Sequence, residues 1–350
     1  MSAPTSTSPA LKFNKLFATS LANNLPVSAI MELTYDCNLK CKHCYIVRSR
    51  RPVVSTREAL NILDQLAEMG TLFLTFTGGE ALQRADFFDI AEYARHRNFA
   101  LRVFTNGTLI NARTADKIKK ISPLAVGISI YSHRAAVHDA FTRTRGSFEK
   151  STKAIQMLVK RNVKVELKCC VLKINKNDLN DIVQLGEKLG CAVKFDPMIT
   201  PQNNGGEGPL KYAIDQSDLI DFFKKMAERS TVEDGRRVER DGATAFCRAG
   251  RDVVSISPFG DVFPCTALPA AFGNLRRAKL AEIWHSKGLQ KFREQSIIAN
   301  VKKCRECDLL CFCSHCIGVD YVENKSLKRP SRINCNVASA CMQAGRASVN

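Results

Sequence analysis

The distribution of cysteine constrains this chain more than any other feature. Fifteen of its 350 residues are cysteine; Cys37, Cys41 and Cys44 lie within one short segment, and nine more lie after residue 246. The first residues contain no apolar secretory region, and no stretch is long and apolar enough to cross a bilayer. We therefore expect a cytoplasmic chain, in which thiols stay reduced and clustered cysteines bind metal.

Apolar runs rich in β-branched residues alternate with amphipathic helical patterns between residues 28 and 200. The predicted strands are 28–34, 71–76, 101–105, 125–131, 163–171 and 192–195. The predicted crossover helices are 56–69, 86–97, 112–120, 147–160 and 179–189. Strands that alternate with helices imply an α/β fold with a parallel sheet, open or barrel-like, and such sheets bind ligands at the carboxyl ends of their strands.

The pattern changes near residue 200. A stretch rich in proline, glycine and asparagine at 197–209 ends the alternation, 215–229 has one more helical pattern, and 233–241 is a charged connector. The predicted segments are a flexible N-terminal segment at 1–27, a barrel at 28–200, a linker with one helix at 201–245, and a small loop-rich, cysteine-rich domain at 246–345. Metal would stabilise that last domain, because its apolar core is thin.

The first cysteine group has a spacing that suits an iron–sulfur cluster. Cys37, Cys41 and Cys44 form a CxxxCxxC motif directly after the first predicted strand. Three thiolates on one loop can hold three irons of a 4Fe–4S cube and leave the fourth iron open to a cofactor or substrate. The alternative is a zinc site with His43, but no second CxxC or histidine pair lies close by in this part of the chain.

This motif resembles the signature of the radical S-adenosylmethionine (SAM) superfamily, which follows strand one of a partial (β/α)6 barrel of the TIM type. The resemblance implies that the methionyl amine and carboxylate of SAM chelate the open iron. It also implies that one electron from the reduced cluster cleaves SAM to a 5′-deoxyadenosyl radical, which abstracts hydrogen from a substrate. The three cysteines would then be catalytic residues as well as metal ligands.

Two further motifs stand where this family has SAM-binding residues. Gly78, Gly79 and Glu80 follow the second predicted strand. Glycines let a backbone approach a ligand, and a carboxylate can accept hydrogen bonds from the methionyl ammonium. Asn106 follows the third strand in a Thr-Asn-Gly sequence. The resemblance gives all four residues a role in cofactor binding, and the alternative for each motif is an ordinary turn.

Two later positions have weaker similarity to the family. Ser129 lies in the fourth predicted strand, where the family often has a polar residue that contacts the ribose. Many relatives have an acidic residue two positions later, whereas this chain has Tyr131. Arg143 lies in a segment that also resembles the family and would approach the cofactor carboxylate; a surface ion pair is the alternative.

The C-terminal cysteines follow the order of a second known module. A hairpin is predicted between the first two of them, with strands at 253–256 and 262–265 and a turn at 258–261. The spacing resembles the SPASM module, whose cysteines hold two auxiliary 4Fe–4S clusters. The resemblance assigns ligands to auxiliary cluster I (Cys247, Cys265, Cys316) and to auxiliary cluster II (Cys304, Cys307, Cys313, Cys335).

One part of this ligand assignment is open. Two residues rather than the three of the SPASM pattern separate Cys313 from Cys316, and an additional cysteine, Cys311, lies close by. Either Cys311 or Cys316 therefore belongs to cluster I, which keeps one iron open or takes a further residue. A zinc ribbon is the alternative, but seven ligands exceed what one four-coordinate zinc ion needs.

The resemblance supports three functional hypotheses. Relatives with a SPASM module mostly modify peptides, so the first is maturation of a ribosomally made peptide by cross-linking or oxidation. The second is modification of a haem or other tetrapyrrole precursor, because a formal charge of +18 suits a polycarboxylate substrate. The third is an electron-transfer iron–sulfur protein that never cleaves SAM, which would leave the Gly-Gly-Glu motif without a purpose.

The expected partners follow from the first hypothesis. They are a precursor peptide and a reductant of the flavodoxin or ferredoxin type. The 27 residues before the first predicted strand are too few for a winged-helix peptide-recognition domain, so a separate small protein or direct contact with the leader would recognise the peptide. We expect no membrane and no nucleic-acid partner, since the basic residues are spread along the chain.

Overall fold

The computed structural model describes residues 9–229 and 245–347. The predicted connector at 233–241 lies outside these residues. The strands are β1 (Ser28–Glu32), β2 (Phe73–Thr77), β3 (Ala100–Thr105), β4 (Ala125–Ser129), β5 (Val165–Cys170), β6 (Ala192–Asp196), β7 (Val253–Ile256), β8 (Asp261–Phe263) and β9 (Gly273–Asn274). In the described part of the chain, no helix is long and apolar enough to span a membrane.

Helices connect the strands and dominate the C-terminal region. They are α1 (Pro9–Ala22), α2 (Thr56–Glu68), α3 (Phe87–His96), α4 (Ala112–Ile121), α5 (Ala135–Thr142), α6 (Ser147–Val159), α7 (Leu179–Leu189), α8 (Gln216–Arg229), α9 (Leu280–Trp284), α10 (Lys287–Gln295), α11 (Lys302–Arg305), α12 (Ile317–Asn324) and α13 (Arg332–Ala347). The six barrel strands and five crossover helices predicted from sequence are all present, with ends that differ by at most two residues.

The strands form one sheet in the order β6-β5-β4-β3-β2-β1-β7-β8-β9. Strands β1 to β6 run parallel to their neighbours, and at least one helix joins each of them to the next. Parallel neighbours need such a crossover, which places the carboxyl ends of all six strands on one edge of the sheet. The predicted α/β fold, with parallel barrel strands followed by a cysteine-rich region, is confirmed.

The two faces of the sheet differ because side-chain direction alternates along a strand. Met31 of β1 and Phe76 of β2 are fully buried in a cluster with apolar residues of α2 and α3. The residues between such core positions include Glu32, Arg102 and Lys168. One face therefore packs on the helices, and the other provides polar side chains for a site.

The sheet continues past the predicted boundary between the barrel and the C-terminal domain. Strand β7 pairs in parallel with β1, with Ser28 opposite Val253 and Met31 opposite Ile256, and β8 and β9 add antiparallel strands. Val254 and Ile256 are buried in the same cluster as Met31. The predicted hairpin is thus an extension of the barrel sheet, while the domain boundaries stay predictions.

The N-terminal segment 1–27, which we expected to be flexible, contains helix α1 within its described residues. The Phe17 ring of α1 stacks on Phe73 with 5.6 Å between ring centroids, and the Arg248 guanidinium lies 4.4 Å over the Phe17 ring. These contacts place α1 against the starts of β2 and β7. The Ser/Thr/Pro-rich composition of the first residues concealed this short amphipathic helix.

Trp284 tests how strongly the C-terminal helices stabilise the barrel. It is fully buried in the main core, and its Nε1–H donates to the Asn24 carbonyl at 2.7 Å. We expect Trp284→Ala to lower the free energy of unfolding by about 3–5 kcal/mol, because the change leaves a large cavity. Anaerobic denaturant titration followed by circular dichroism measures this.

The matched control is Leu124→Ala, at a leucine that is 45% exposed. We expect this variant to stay within about 0.5 kcal/mol of the parent protein. Equal destabilisation of the two variants would contradict the central position of Trp284.

Candidate iron–sulfur and cofactor sites

The first cysteine loop follows β1 and is held by α5. Lys40 and Lys42 donate their backbone N–H groups to carbonyls in the last turn of that helix, at 3.1 Å each. Sequence patterns did not predict α5, since it has only eight residues and no side-chain cap at its start. The path of the cysteine loop thus depends on an element that the sequence concealed.

The three thiols of this loop lie close enough to affect each other's ionisation. Burial raises the pKa of all three, to about 12 for Cys41, and charge on the neighbouring thiols raises it further for Cys37 and Cys41. Backbone N–H groups donate to sulfur, from Leu39 to Cys37 at 3.4 Å and from Ile46 to Cys44. Such thiols ionise when a metal compensates their charge. The group therefore fits a metal centre.

The spread of these sulfur atoms distinguishes a cluster from a single zinc ion. Tetrahedral zinc, with Zn–S bonds near 2.3 Å, holds sulfur atoms about 3.8 Å apart. Among the described residues, the only group with three candidate ligand atoms within 4.8 Å of one another contains no cysteine: His133, Asp178 and Asp181. His43, the extra ligand of the zinc alternative, instead packs edge-on against Tyr131 at 4.8 Å. The arrangement favours a multi-iron cluster.

Gly78 and Gly79 let the loop after β2 pass against the cysteine loop. A Cβ atom would lie 2.3 Å from the Thr34 carbonyl oxygen at Gly78, and 2.2 Å from the Asp36 carbonyl oxygen at Gly79. The N–H groups of Gly79 and Glu80 donate to these two carbonyls at 2.7 and 2.8 Å. Any side chain would separate the two loops, so both glycines are required for this contact.

Glu80 joins the ends of β2 and β3 through a buried carboxylate. It accepts hydrogen bonds from Thr105 Oγ1 and Asn106 N–H at 2.7 Å and from Leu82 N–H at 3.1 Å. Burial raises the pKa of Glu80, and these hydrogen bonds oppose that shift. A carboxylate has about four acceptor sites. Three are occupied within the protein, and the expected contact with the methionyl ammonium stays a prediction.

Asn106 connects this carboxylate to the cysteine loop. Its side-chain Nδ2 donates to Asn38 Oδ1 at 2.9 Å and lies 3.8 Å from Cys37 Sγ, while its Oδ1 accepts from Thr108 N–H at 2.9 Å. Ser151 Oγ donates to the Asn106 carbonyl at 2.7 Å. The motifs at the carboxyl ends of β1, β2 and β3 therefore form one hydrogen-bonded unit.

Ser129 and Tyr131 reach the same unit, whereas Arg143 lies at the exposed C-terminal end of α5. Ser129 ends β4, and its hydroxyl hydrogen bonds to the Tyr131 hydroxyl, which donates in turn to Cys41. A phenol thus occupies the position where the family often has an acid, and burial raises its pKa well above the usual value. Arg143 lies at the exposed end of α5, and the described residues give its guanidinium no ion-pair partner.

Cys247, Cys265 and Cys316 come together from three separate segments. Burial raises the pKa of Cys247 to about 11 and that of Cys265 to about 12. Charge on Cys247 and Cys316 adds to the shift of Cys265. Each sulfur accepts backbone N–H groups from two residues: Ala249 and Ile317 for Cys247, Ala267 and Leu268 for Cys265, and Gly318 and Val319 for Cys316. Donors of this kind favour thiolate, as a metal requires.

The remaining C-terminal cysteines form a second group and a separate pair. Cys307, Cys313 and Cys335 each interact with Cys304. Burial raises the pKa of Cys304 to about 12, and charge on Asp320 and on these three thiols adds to the shift. Cys311 instead lies beside Cys341, at the contact of its short 3₁₀ helix with α13. The structure thus places Cys316, and not Cys311, with Cys247 and Cys265.

A buried network connects the two C-terminal cysteine groups. His315 Nε2 hydrogen bonds to Asp320, and His315 Nδ1 lies 3.9 Å from Cys313 Sγ. The Asn334 side chain binds the N–H and the carbonyl of Cys316 at 3.1 and 3.0 Å and donates to Asp320 at 2.7 Å. Sequence reasoning missed these polar residues; their position among the cysteines was the only available signal.

A cavity of about 330 Å³ lies between the first cysteine loop and the loop after Cys265. Its wall extends from Tyr45, which follows the last cysteine of the first motif, to Thr266. The buried carboxylate of Glu32 also lines it and accepts hydrogen bonds from Tyr45 Oη at 2.7 Å and Tyr35 Oη at 3.1 Å. The loop of the first cysteine motif and the loop after Cys265 therefore both border this cavity.

Comparison with known proteins identifies the family. Residues 31–186 match the model of the radical SAM superfamily, and residues 247–308 match that of the SPASM iron–sulfur cluster-binding domain. The mycofactocin maturase MftC of Mycobacterium ulcerans is 30% identical to this chain over 253 residues, which cover 69% of this chain and 68% of MftC. The chain belongs to the radical SAM superfamily. It is an enzyme with a radical SAM mechanism, so the non-catalytic alternative is excluded.

Further comparisons of this radical SAM enzyme give two different kinds of relative. The AdoMet-dependent heme synthase of Methanosarcina barkeri is 27% identical over 321 residues, 84% of this chain and 91% of the relative. The crystal structure of Streptococcus suis SuiB bound to its precursor peptide SuiA superposes with a TM-score of 0.71 at 17% identity, covering 95% of this chain and 84% of SuiB. That likeness shows the fold alone. The family uses SAM and a 4Fe–4S cluster, and its SPASM domain binds iron–sulfur clusters.

Glu80→Gln tests the hydrogen-bonded unit at the strand ends. The amide nitrogen would face one of three N–H or O–H donors, so the loop after β2 would move and the negative charge would be lost. We expect SAM to bind about tenfold more weakly, a change of about 1.4 kcal/mol. Calorimetry on anaerobic protein with an intact cluster measures the dissociation constant.

The control is Gln83→Ala, at an exposed residue in the same turn. This variant should bind SAM as the parent protein does. An unchanged dissociation constant for Glu80→Gln at full cluster content would mean that Glu80 has no part in cofactor binding.

Proposed function

We propose that this enzyme modifies a ribosomally made peptide, by cross-linking or oxidation. The observation that carries the proposal is the cavity between the first cysteine loop and the loop after Cys265, whose wall suits a peptide backbone. Two comparisons support it: the relative MftC is a maturase, and SuiB, which has the same fold, binds a precursor peptide.

The cavity wall offers neutral hydrogen-bonding groups, and one of its two arginines is paired with an acid. Asn203 and Thr266 contribute an amide and a hydroxyl. Arg51 binds both carboxylate oxygens of Asp261 at 2.6 and 3.0 Å, and Arg48 donates to the Cys37 carbonyl at 2.7 Å. Amides and hydroxyls match the N–H and C=O groups of a peptide, whereas a polycarboxylate needs free cations.

The catalytic cluster is assigned to Cys37, Cys41 and Cys44, which would ligate three of its irons. Reductive cleavage of SAM at such a cluster supplies the radical chemistry that removes hydrogen from a substrate. The chain itself favours the thiolate forms, since the Tyr131 hydroxyl donates to Cys41 and the Asn106 amide approaches Cys37.

SAM would bind along the carboxyl ends of β2 to β4. Gly78 and Gly79 present the backbone of their loop there, and Glu80 keeps one acceptor site for the methionyl ammonium. Ser129 would contact the ribose from the end of β4. Arg143 lies close in sequence to the carbonyls that hold the cysteine loop, and we assign it to the SAM carboxylate.

The auxiliary clusters follow the two C-terminal groups. Cys247, Cys265 and Cys316 would hold auxiliary cluster I with one iron open to a further ligand. Cluster II would take the four-cysteine group: Cys304, Cys307, Cys313 and Cys335. Six backbone N–H donors at the first group support thiolates there.

Modification of a tetrapyrrole precursor is the second candidate. The heme synthase relative covers 84% of this chain at 27% identity. The charge of +18 also suits a polycarboxylate. Against it, Arg51 is already paired with Asp261, which leaves Arg48 as the one arginine of the cavity wall without an acidic partner among the described residues, too few for a polycarboxylate.

A reductant of the flavodoxin or ferredoxin type would supply the electron for cleavage of SAM. The excess of 52 basic over 34 acidic residues favours docking of an acidic electron carrier. A separate small protein, or the leader itself, would bring the precursor peptide to the cavity.

The choice between peptide and tetrapyrrole can be tested with short peptides encoded beside the gene. Reduced, anaerobically reconstituted enzyme with SAM should convert one such peptide to a product of altered mass and form 5′-deoxyadenosine in comparable amounts. Tetrapyrrole precursors serve as the comparison and should remain unchanged. Turnover of a tetrapyrrole, with every peptide unchanged, would replace this proposal with the second candidate.

Iron content tests the assignment of Cys316. Three cubane clusters give about twelve irons per chain. Cys316→Ala should remove about four of these, because cluster I would keep only two cysteine ligands. Cys311→Ala is the matched control and should retain all of them. Iron analysis with Mössbauer spectroscopy measures both variants, and iron loss from Cys311→Ala alone would reverse the assignment.

A further inference from the structure

Arg251, four residues after Cys247, and Arg293 of α10 lie side by side, and each has one buried guanidinium nitrogen. Arg293 is 7% exposed, and its Nε donates to the Gly250 carbonyl at 2.6 Å. Arg251 donates from Nη2 to the Arg293 carbonyl. The Arg293 guanidinium also lies 4.7 Å over the ring of Trp284. Backbone carbonyls and an aromatic ring thus hold both cations in place.

Neither arginine has an acidic partner among the residues that the structure describes. The adjacent carboxylate, Asp252, pairs with Arg248 at 2.8 Å. Arg251 Nε and Arg293 Nη2 are buried and find no acceptor within the described residues. Two like charges that lie together, each with a buried and unused donor, are unfavourable unless an anion compensates them.

Cys247 is the group of opposite charge that interacts with Arg251. Burial lowers the pKa of Arg251 and the Cys247 thiolate raises it, while Arg251 in turn lowers the pKa of Cys247. Cys247 shares its surroundings with Cys265 and Cys316, whose sulfur atoms receive backbone donors as well. A cluster bound by three thiolates is anionic, and its sulfur atoms accept hydrogen bonds.

We propose that Arg251, supported by Arg293, donates a hydrogen bond from Nε to auxiliary cluster I beside Cys247 and raises the reduction potential of that cluster. The inference rests on the assignment of cluster I in the proposed function. Reduction adds one negative charge to a cluster. A fixed cation with a free donor stabilises the reduced form more than the oxidised form. Arg251 is therefore a residue that tunes the cluster and is not one of its ligands.

Arg251→Met tests this, because it keeps much of the side-chain volume and removes both charge and donors. The full chain with all clusters is titrated with dithionite, and electron paramagnetic resonance follows each reduced cluster. The signal of cluster I is the one that Cys316→Ala lacks. We expect a reduction equilibrium at least tenfold less favourable for cluster I alone, a shift of about 59 mV to more negative potential.

Two further variants separate charge from general perturbation. Arg251→Lys keeps the charge and should restore part of the potential. Arg277→Met, at an exposed arginine, should leave every potential unchanged. An unaltered potential of cluster I in Arg251→Met, at full iron content, would overturn the inference. A parent protein that has the same iron content as Cys316→Ala would instead refute the cluster assignment itself.

A measurement on the unaltered side chain covers the case in which Arg251→Met does not fold. Protein labelled with ¹⁵N only in arginine, and lacking Cys37, Cys41 and Cys44, is reduced and studied by pulsed electron paramagnetic resonance. We expect a coupling between cluster I and an arginine nitrogen. The absence of any such coupling would also overturn the inference.

Discussion

Strand β1 hydrogen bonds to β2 on one side and to β7 on the other, and the arrangement of the whole site depends on this double pairing. The cysteine loop leaves the carboxyl end of β1, the Gly-Gly-Glu loop leaves that of β2, and the hairpin turn before β8 leaves that of β7. Parallel pairing brings all three to one edge. The Val54 N–H donates to the Pro258 carbonyl at 2.7 Å, which ties the stretch after the cysteine loop to this hairpin.

The buried charged groups of this protein are of two kinds. Some are carboxylates that accept hydrogen bonds from neighbouring groups, and others are arginine donors that have no acceptor. Glu80 and Asp320 are fully buried, and each accepts hydrogen bonds from neighbouring donors that link separate parts of the chain. Arg251 and Arg293 retain donors without acceptors next to Cys247. Unsatisfied groups of this kind are rare in folded proteins. They mark the place where an anionic partner is expected.

The sequence predicted the barrel and the cysteine groups because both depend on local patterns. Alternation of apolar runs gave the strands, and spacing gave the CxxxCxxC loop. It did not predict α5, which is too short for a clear helical period, nor the pairing of β7 with β1, which joins segments more than 200 residues apart. It also left Cys311 and Cys316 unresolved, because spacing alone does not say which sulfur faces which group.

The formation of 5′-deoxyadenosine from SAM by the reduced protein tests the central claim most directly. Our account predicts that the reconstituted parent protein forms 5′-deoxyadenosine and methionine. The variant with Cys37, Cys41 and Cys44 all changed to alanine should form neither, although it keeps its auxiliary clusters. Undiminished 5′-deoxyadenosine from that variant would contradict the placement of the catalytic cluster on the loop after β1.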